Sequence, residues 1–143
     1  MESKSLMARK LIYLCALCSF SVVALAQLEE SSTPSFPTVK CEELKKMIDA
    51  KTGGFLVVSN DPQESYDEGH IPGAVSFPWA MQLKLPVNLP RDKTLILYCS
   101  CAHEEDSQDM AAKLAKIGYR NIKVLEGGFL RWSELKYPIE KKK

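Results

Sequence analysis

Three short apolar runs, Phe55–Val58, Thr94–Tyr98 and Ile122–Leu125, constrain this chain more than any other feature. The first, Phe55-Leu56-Val57-Val58, contains no polar residue. A strand with one wet face alternates apolar and polar side chains, so an uninterrupted run belongs to a strand covered on both sides. Segments of helical period lie between the runs. Cys41–Ala50 puts Leu44, Met47 and Ile48 on one face, with acids in its first turn and Gly53-Gly54 as a stop. Met110, Leu114 and Ile117 mark a second helix that starts near Asp106 or Ser107 and ends at Gly118, and Phe129–Leu135 is a closing helix. Ala74–Phe77 is a further strand candidate. Strands alternating with helices predict an α/β fold whose parallel sheet is flanked on both faces, with any site at the carboxyl ends of the strands.

The N-terminus has a different character. Lys4, Arg9 and Lys10 precede an uncharged run from Leu11 to Ala26 that ends in Ala24-Leu25-Ala26. A basic start, a short apolar run and a small-x-small end read as a secretory signal peptide over residues 1–26, because the run is shorter than the roughly 20 residues of a spanning helix. Residues 27–35, polar and aperiodic, read as a linker, and residues 36–143 as one domain. The expected location is outside the cytoplasm: periplasmic for a bacterial source, otherwise secreted, with membrane contact only during export. Nineteen basic against eighteen acidic residues leave a net charge of +1 and no sustained basic face, which argues against a nucleic-acid partner. Removal of the signal leaves three cysteines, Cys41, Cys99 and Cys101, too few and too odd a number for a disulfide framework, so at least one thiol is free or functional. Cys41 opens a helix and reads as a small buried residue.

Cys99 follows the Thr94–Tyr98 run directly, in the stretch Cys99-Ser100-Cys101-Ala102-His103-Glu104-Glu105-Asp106, and a helix comes next. A loop between a strand end and a helix start collects backbone N–H groups that favour negative charge and lower a thiol pKa toward neutrality. Cys99 is the candidate nucleophile, and Ser100, Ala102, His103, Glu104, Glu105 and Asp106 are the candidate substrate-binding loop. The three acids complement the helix dipole and disfavour a dianionic donor. His103 would offset them if protonated, or take the thiol proton, or stand exposed as a bystander. No metal is expected, because Cys99, Cys101 and His103 lie too close along the chain to complete a tetrahedral site readily. Phosphate chemistry at a cysteine needs a bidentate arginine beside it, and none lies between Cys99 and Arg120.

Gly69-His70-Ile71-Pro72-Gly73-Ala74, Leu97-Tyr98-Cys99, Gly118–Ile122 and Leu125-Glu126-Gly127-Gly128 with Trp132 downstream resemble, in order and spacing, the motifs of the rhodanese-like sulfurtransferase family. The resemblance implies a five-stranded, mostly parallel sheet flanked by helices on both faces, no tightly bound cofactor, and an active cysteine in the loop after the fourth strand. Such a cysteine accepts a sulfane sulfur as a persulfide and passes it to a thiol or cyanide. The implied partners are a small sulfur donor, that acceptor, or a protein persulfide. Cys99 matches by strand position, whereas the family serine comes six residues after the cysteine, and Ser107 lies six after Cys101 and eight after Cys99. Cys101 is therefore an alternative or resolving thiol. The family's early Asp and Arg fall at or near Val58 and Asn60, which leaves open whether that loop has the family's polar support, and His70 belongs to the family's structural turn. Three functions follow: a persulfide-forming sulfurtransferase, a Cys-x-Cys thiol–disulfide protein, and a catalytically silent binding module.

Overall fold

The computed structural model describes residues 35–142; the expected signal segment, and all of the expected linker but its last residue, lie outside them. The elements run β1 (Thr38–Val39), α1 (Cys41–Asp49), β2 (Phe55–Ser59), α2 (Gln63–Glu68), β3 (Val75–Ser76), β4 (Thr94–Tyr98), α3 (Glu105–Lys116), β5 (Ile122–Leu125) and α4 (Gly128–Glu134). The five strands form one sheet in the order β1-β5-β4-β2-β3, and every pairing is parallel. β4 is central, with β2 pairing along all five of its residues.

Successive residues of a strand point to opposite faces, and the core divides accordingly. Val57, Ile96, Tyr98 and Leu125 meet α1 and α4 through Cys41, Leu44 and Trp132, whereas Val58, Leu95, Leu97 and Val124 meet α3 through Met110, Ala111 and Leu114. This two-sided burial explains why the central strands carry continuous apolar runs.

Several boundaries differ from those the sequence predicts. β3 keeps only Val75–Ser76 of the expected Ala74–Phe77, because it lies at the sheet edge and pairs with β2 through two residues. The edge strand β1 and the six-residue α2 carry no sequence signal, being too short for a period to develop. α3 starts at Glu105, and α4 occupies Gly128–Glu134.

The chain after α4 folds back over the Gly69–Ala74 turn. His70 and Glu140 form an isolated antiparallel bridge with reciprocal backbone bonds of 2.9 Å, and the Gly73 amide donates to the Glu140 carboxylate at 3.0 Å. The Trp132 indole, fully buried, donates to the Pro138 carbonyl at 2.8 Å and meets Tyr137 edge-on. His70 stacks on Tyr66 with ring centroids 3.9 Å apart and places Nδ1 2.8 Å from the Tyr66 carbonyl, so its role is to hold the turn.

Burial pushes the Cys41 thiol up to about 11, helped by the charge of Glu42, and the Tyr98 phenol up to about 12. Both groups stay neutral in the folded chain where the unfolded chain ionises them. Their contribution to stability is complete below about pH 8.5 and is lost as the pH climbs toward about 12. Urea midpoints are expected to be flat up to about pH 8.5 and to fall above it, with Tyr98→Phe shallowing the decline above about pH 10. An unchanged slope in that variant would show that another group drives the alkaline loss.

Candidate functional site

β4 ends at Tyr98 and delivers Cys99 to the carboxyl edge of the sheet, 1% exposed, with Ser100 exposed and Cys101 partly exposed beyond it. Four contacts fix the loop that follows. The Cys99 carbonyl accepts the Phe129 amide at 3.0 Å. The Ser100 amide donates to Asp61 Oδ1 at 2.7 Å, and the Ser100 hydroxyl to Asp61 Oδ2 at 3.0 Å. At the far end the Glu104 carboxylate accepts the Gly127 amide.

Asp61 is the residue that sequence reasoning missed. The polar support that the sequence left open is present: Ser59 stands at the end of β2, and a carboxylate follows two residues later, on Asp61, which is 7% exposed. The Asp61 amide bonds back to the Ser59 hydroxyl at 3.3 Å, and Asn60 fixes the turn by donating its amide to the Tyr98 carbonyl at 2.7 Å and its side chain to the Phe77 carbonyl at 2.8 Å. The signal was the Asn60-Asp61-Pro62 cluster itself, whose polar side chains satisfy backbone groups at turns.

Gly127-Gly128 also belongs to the site. Gly128 has φ +51, and a Cβ there would collide with the Cys99 carbonyl, so only glycine lets α4 start against the loop. Glu104 adopts the left-handed conformation with φ 56, which turns its carboxylate toward Gly127 rather than toward water. Glu105 is exposed as a first-turn acid is expected to be, and accepts the His103 amide at 3.3 Å; the His103 side chain is exposed. Ser107 is fully buried at the start of α3, and its hydroxyl has no partner among the described residues.

Cys99 and Cys101 are joined by a disulfide, with Cα atoms 5.4 Å apart, a separation ordinary for such bonds. A single intervening residue is therefore no bar to closure. In this state neither sulfur is a nucleophile, and the thiolate chemistry of the loop requires reduction. Cys41 is free and buried, its thiol donating toward the Glu126 and Gly128 carbonyls. Beside the loop, Ser100, Phe129, Ile139 and Lys141 line an open cavity of about 360 Å³.

The profile of the rhodanese-like domain matches residues 40–135. The chain belongs to this family. The chain is 29% identical over 118 residues to the HTH-type transcriptional regulator Rv0324 of Mycobacterium tuberculosis, covering 82% of this chain and 50% of the regulator. It is 31% identical over 70 residues to the thiosulfate sulfurtransferase GlpE of Coxiella burnetii, covering 49% of this chain and 64% of that enzyme. It thus spans about half to two thirds of the length of these relatives. The crystal structure of the BH2092 protein from Bacillus halodurans superposes with a TM-score of 0.68 at 29% identity, covering 73% of this chain and 77% of that one. The rhodanese-like family accordingly accounts for the parallel sheet, and sulfurtransferases stand among the relatives.

Asp61→Ala is expected to cost about 1–3 kcal/mol by orphaning the Ser100 amide, and Gly128→Ala about 1–3 kcal/mol through the clash with the Cys99 carbonyl. Urea unfolding of reduced protein measures both. Asp61→Asn retains an acceptor for the Ser100 amide and is expected to lose less than Asp61→Ala; equal losses would show that the carboxylate's contact with Ser100 is not what counts.

Proposed function

We propose that this chain is a thiol-dependent sulfurtransferase in which Cys99, once reduced, carries a sulfane sulfur as a persulfide. The observation that supports this most is the position of Cys99: at the carboxyl end of the central strand, with its carbonyl held by Phe129 and the next amide held by Asp61, directly before α3. Cys99 lies in the loop that leads into α3, and the dipole of this twelve-residue helix favours negative charge at its start. In the transfer, the Cys99 thiolate attacks the sulfane sulfur of a donor, the donor's S–S bond breaks, and its remaining fragment leaves with the electron pair. A thiol or cyanide then attacks the outer sulfur and returns Cys99 to thiolate.

The donor class follows from charge. The loop holds no Lys or Arg from Cys99 to Asp106, and Glu104, Glu105 and Asp106 lie at its end. An uncharged or singly charged persulfide meets less repulsion than dianionic thiosulfate. Because Glu105 is exposed, that repulsion is screened to below about 1 kcal/mol. Glu105→Gln is expected to raise kcat/KM for thiosulfate by less than about fivefold and to leave that for a neutral persulfide unchanged.

Cys99→Ser is expected to abolish both the about +32 Da adduct and turnover, since a hydroxyl cannot hold a sulfane sulfur, while the buried position tolerates the small change. Full turnover in Cys99→Ser would pass the role to Cys101, and no adduct on any cysteine with any donor would leave a silent binding module.

The proposed setting is outside the cytoplasm, on the strength of Lys4, Arg9, Lys10 and the run to Ala26. N-terminal sequencing of exported protein is expected to begin at Gln27; Met1 retained in a membrane fraction would overturn this.

A further inference from the structure

Both ends of the Cys99–Glu104 loop are anchored, and among the described residues its middle is held only locally. Phe129 and Asp61 hold Cys99 and Ser100, while Gly127 holds the Glu104 side chain and the Gln108 amide holds the Glu104 carbonyl at 2.9 Å. Cys101, Ala102 and His103 lie between these anchors, and the His103 amide donates locally to the Glu105 carboxylate. Opening the Cys99–Cys101 bond therefore leaves β4 and α3 in place and keeps the Cys101 thiol within reach of Cys99.

We infer that Cys101 is a resolving thiol, so that the domain reduces persulfides and releases sulfide. This rests on the persulfide reading of Cys99 and extends it. In the reduced protein the Cys99 thiolate attacks the outer sulfur of a persulfide R–S–SH, breaking its S–S bond and releasing RSH, and Cys99 becomes Cys99–S–SH. The Cys101 thiolate then attacks Cys99 Sγ. A Sγ–Sγ bond forms, the bond from Cys99 Sγ to the outer sulfur breaks, and that sulfur leaves as HS⁻ with the electron pair. The two protein thiols are oxidised, one sulfane sulfur is reduced to sulfide, and the product is the disulfide that the structure contains.

Return to the dithiol takes two electrons from a small thiol or a dithiol protein. The incoming thiolate forms a mixed disulfide with one of the two sulfurs and expels the other as the thiolate, and a second thiol then releases the bound one as a disulfide. An anchored thiol in the same loop competes with external acceptors at an effective concentration that free thiols do not match. Sulfur consequently leaves as sulfide rather than by delivery to a second molecule.

The test uses the full chain, reduced, desalted without oxygen and mixed with one equivalent of cysteine persulfide in the absence of other reductant. The wild type is expected to release about one sulfide per chain, to lose two titratable thiols and to weigh about 2 Da less than the reduced protein. Cys101→Ser is expected to gain about 32 Da on Cys99 and to release sulfide at least about tenfold more slowly, with Cys101→Ala behaving alike. If the wild type instead keeps the adduct and releases sulfide no faster than Cys101→Ser, the resolving role is overturned and the persulfide reading stands. If neither Cys101 variant gains the adduct, both fall.

Discussion

The grip of Gly128 and Phe129 on the Cys99 carbonyl is the contact on which the site depends. One backbone oxygen at the end of β4 receives the Phe129 amide, and the lack of a side chain on Gly128 lets α4 begin against it. The carbonyl lies at a strand end, where the sheet no longer supplies a partner, so the bond both satisfies a buried acceptor and fixes where the next residues leave the sheet. Asp61 supplies the matching restraint from β2 on the other side of β4. The loop is thus set by the two strands and the helix that surround it.

The carboxylates around that loop are engaged with backbone groups. Asp61 and Glu104 turn their carboxylates onto the backbone amides of Ser100 and Gly127. At the far end of the loop the peptide dipole at the start of α3 favours negative charge, and the Ser107 hydroxyl has no partner among the described residues.

Much of this architecture was legible in the sequence because two-sided burial writes itself as apolar runs: β2, β4, β5 and the helices α1 and α3 all lie where Phe55–Val58, Thr94–Tyr98, Ile122–Leu125 and the helical periods put them. The length of β3 was not legible, since an edge strand of two residues depends on how far its neighbour extends. The position of Cys99 after β4 followed from the strand's phase. The support by Asp61 did not, because it joins residues 39 apart in sequence and turns on a shift of the carboxylate along the chain. Likewise the double glycine read as a motif, while its purpose became apparent only with the Cys99 carbonyl beside it. The Cys99–Cys101 bond, one of the alternatives the spacing left open, is compatible with a short loop because its Cα atoms lie 5.4 Å apart.

The fold-back of the chain after α4 bears on where this domain ends. The family profile stops at residue 135, yet Pro138 receives the Trp132 indole and Glu140 pairs with His70. A fragment cut at 135 would strip the lid from a fully buried tryptophan and leave its N–H in search of an acceptor. The physical boundary thus lies past Glu140. Anything fused to the C-terminus of this domain would emerge beside the Gly69–Ala74 turn, and its attachment would be anchored by that turn rather than by a loose tail.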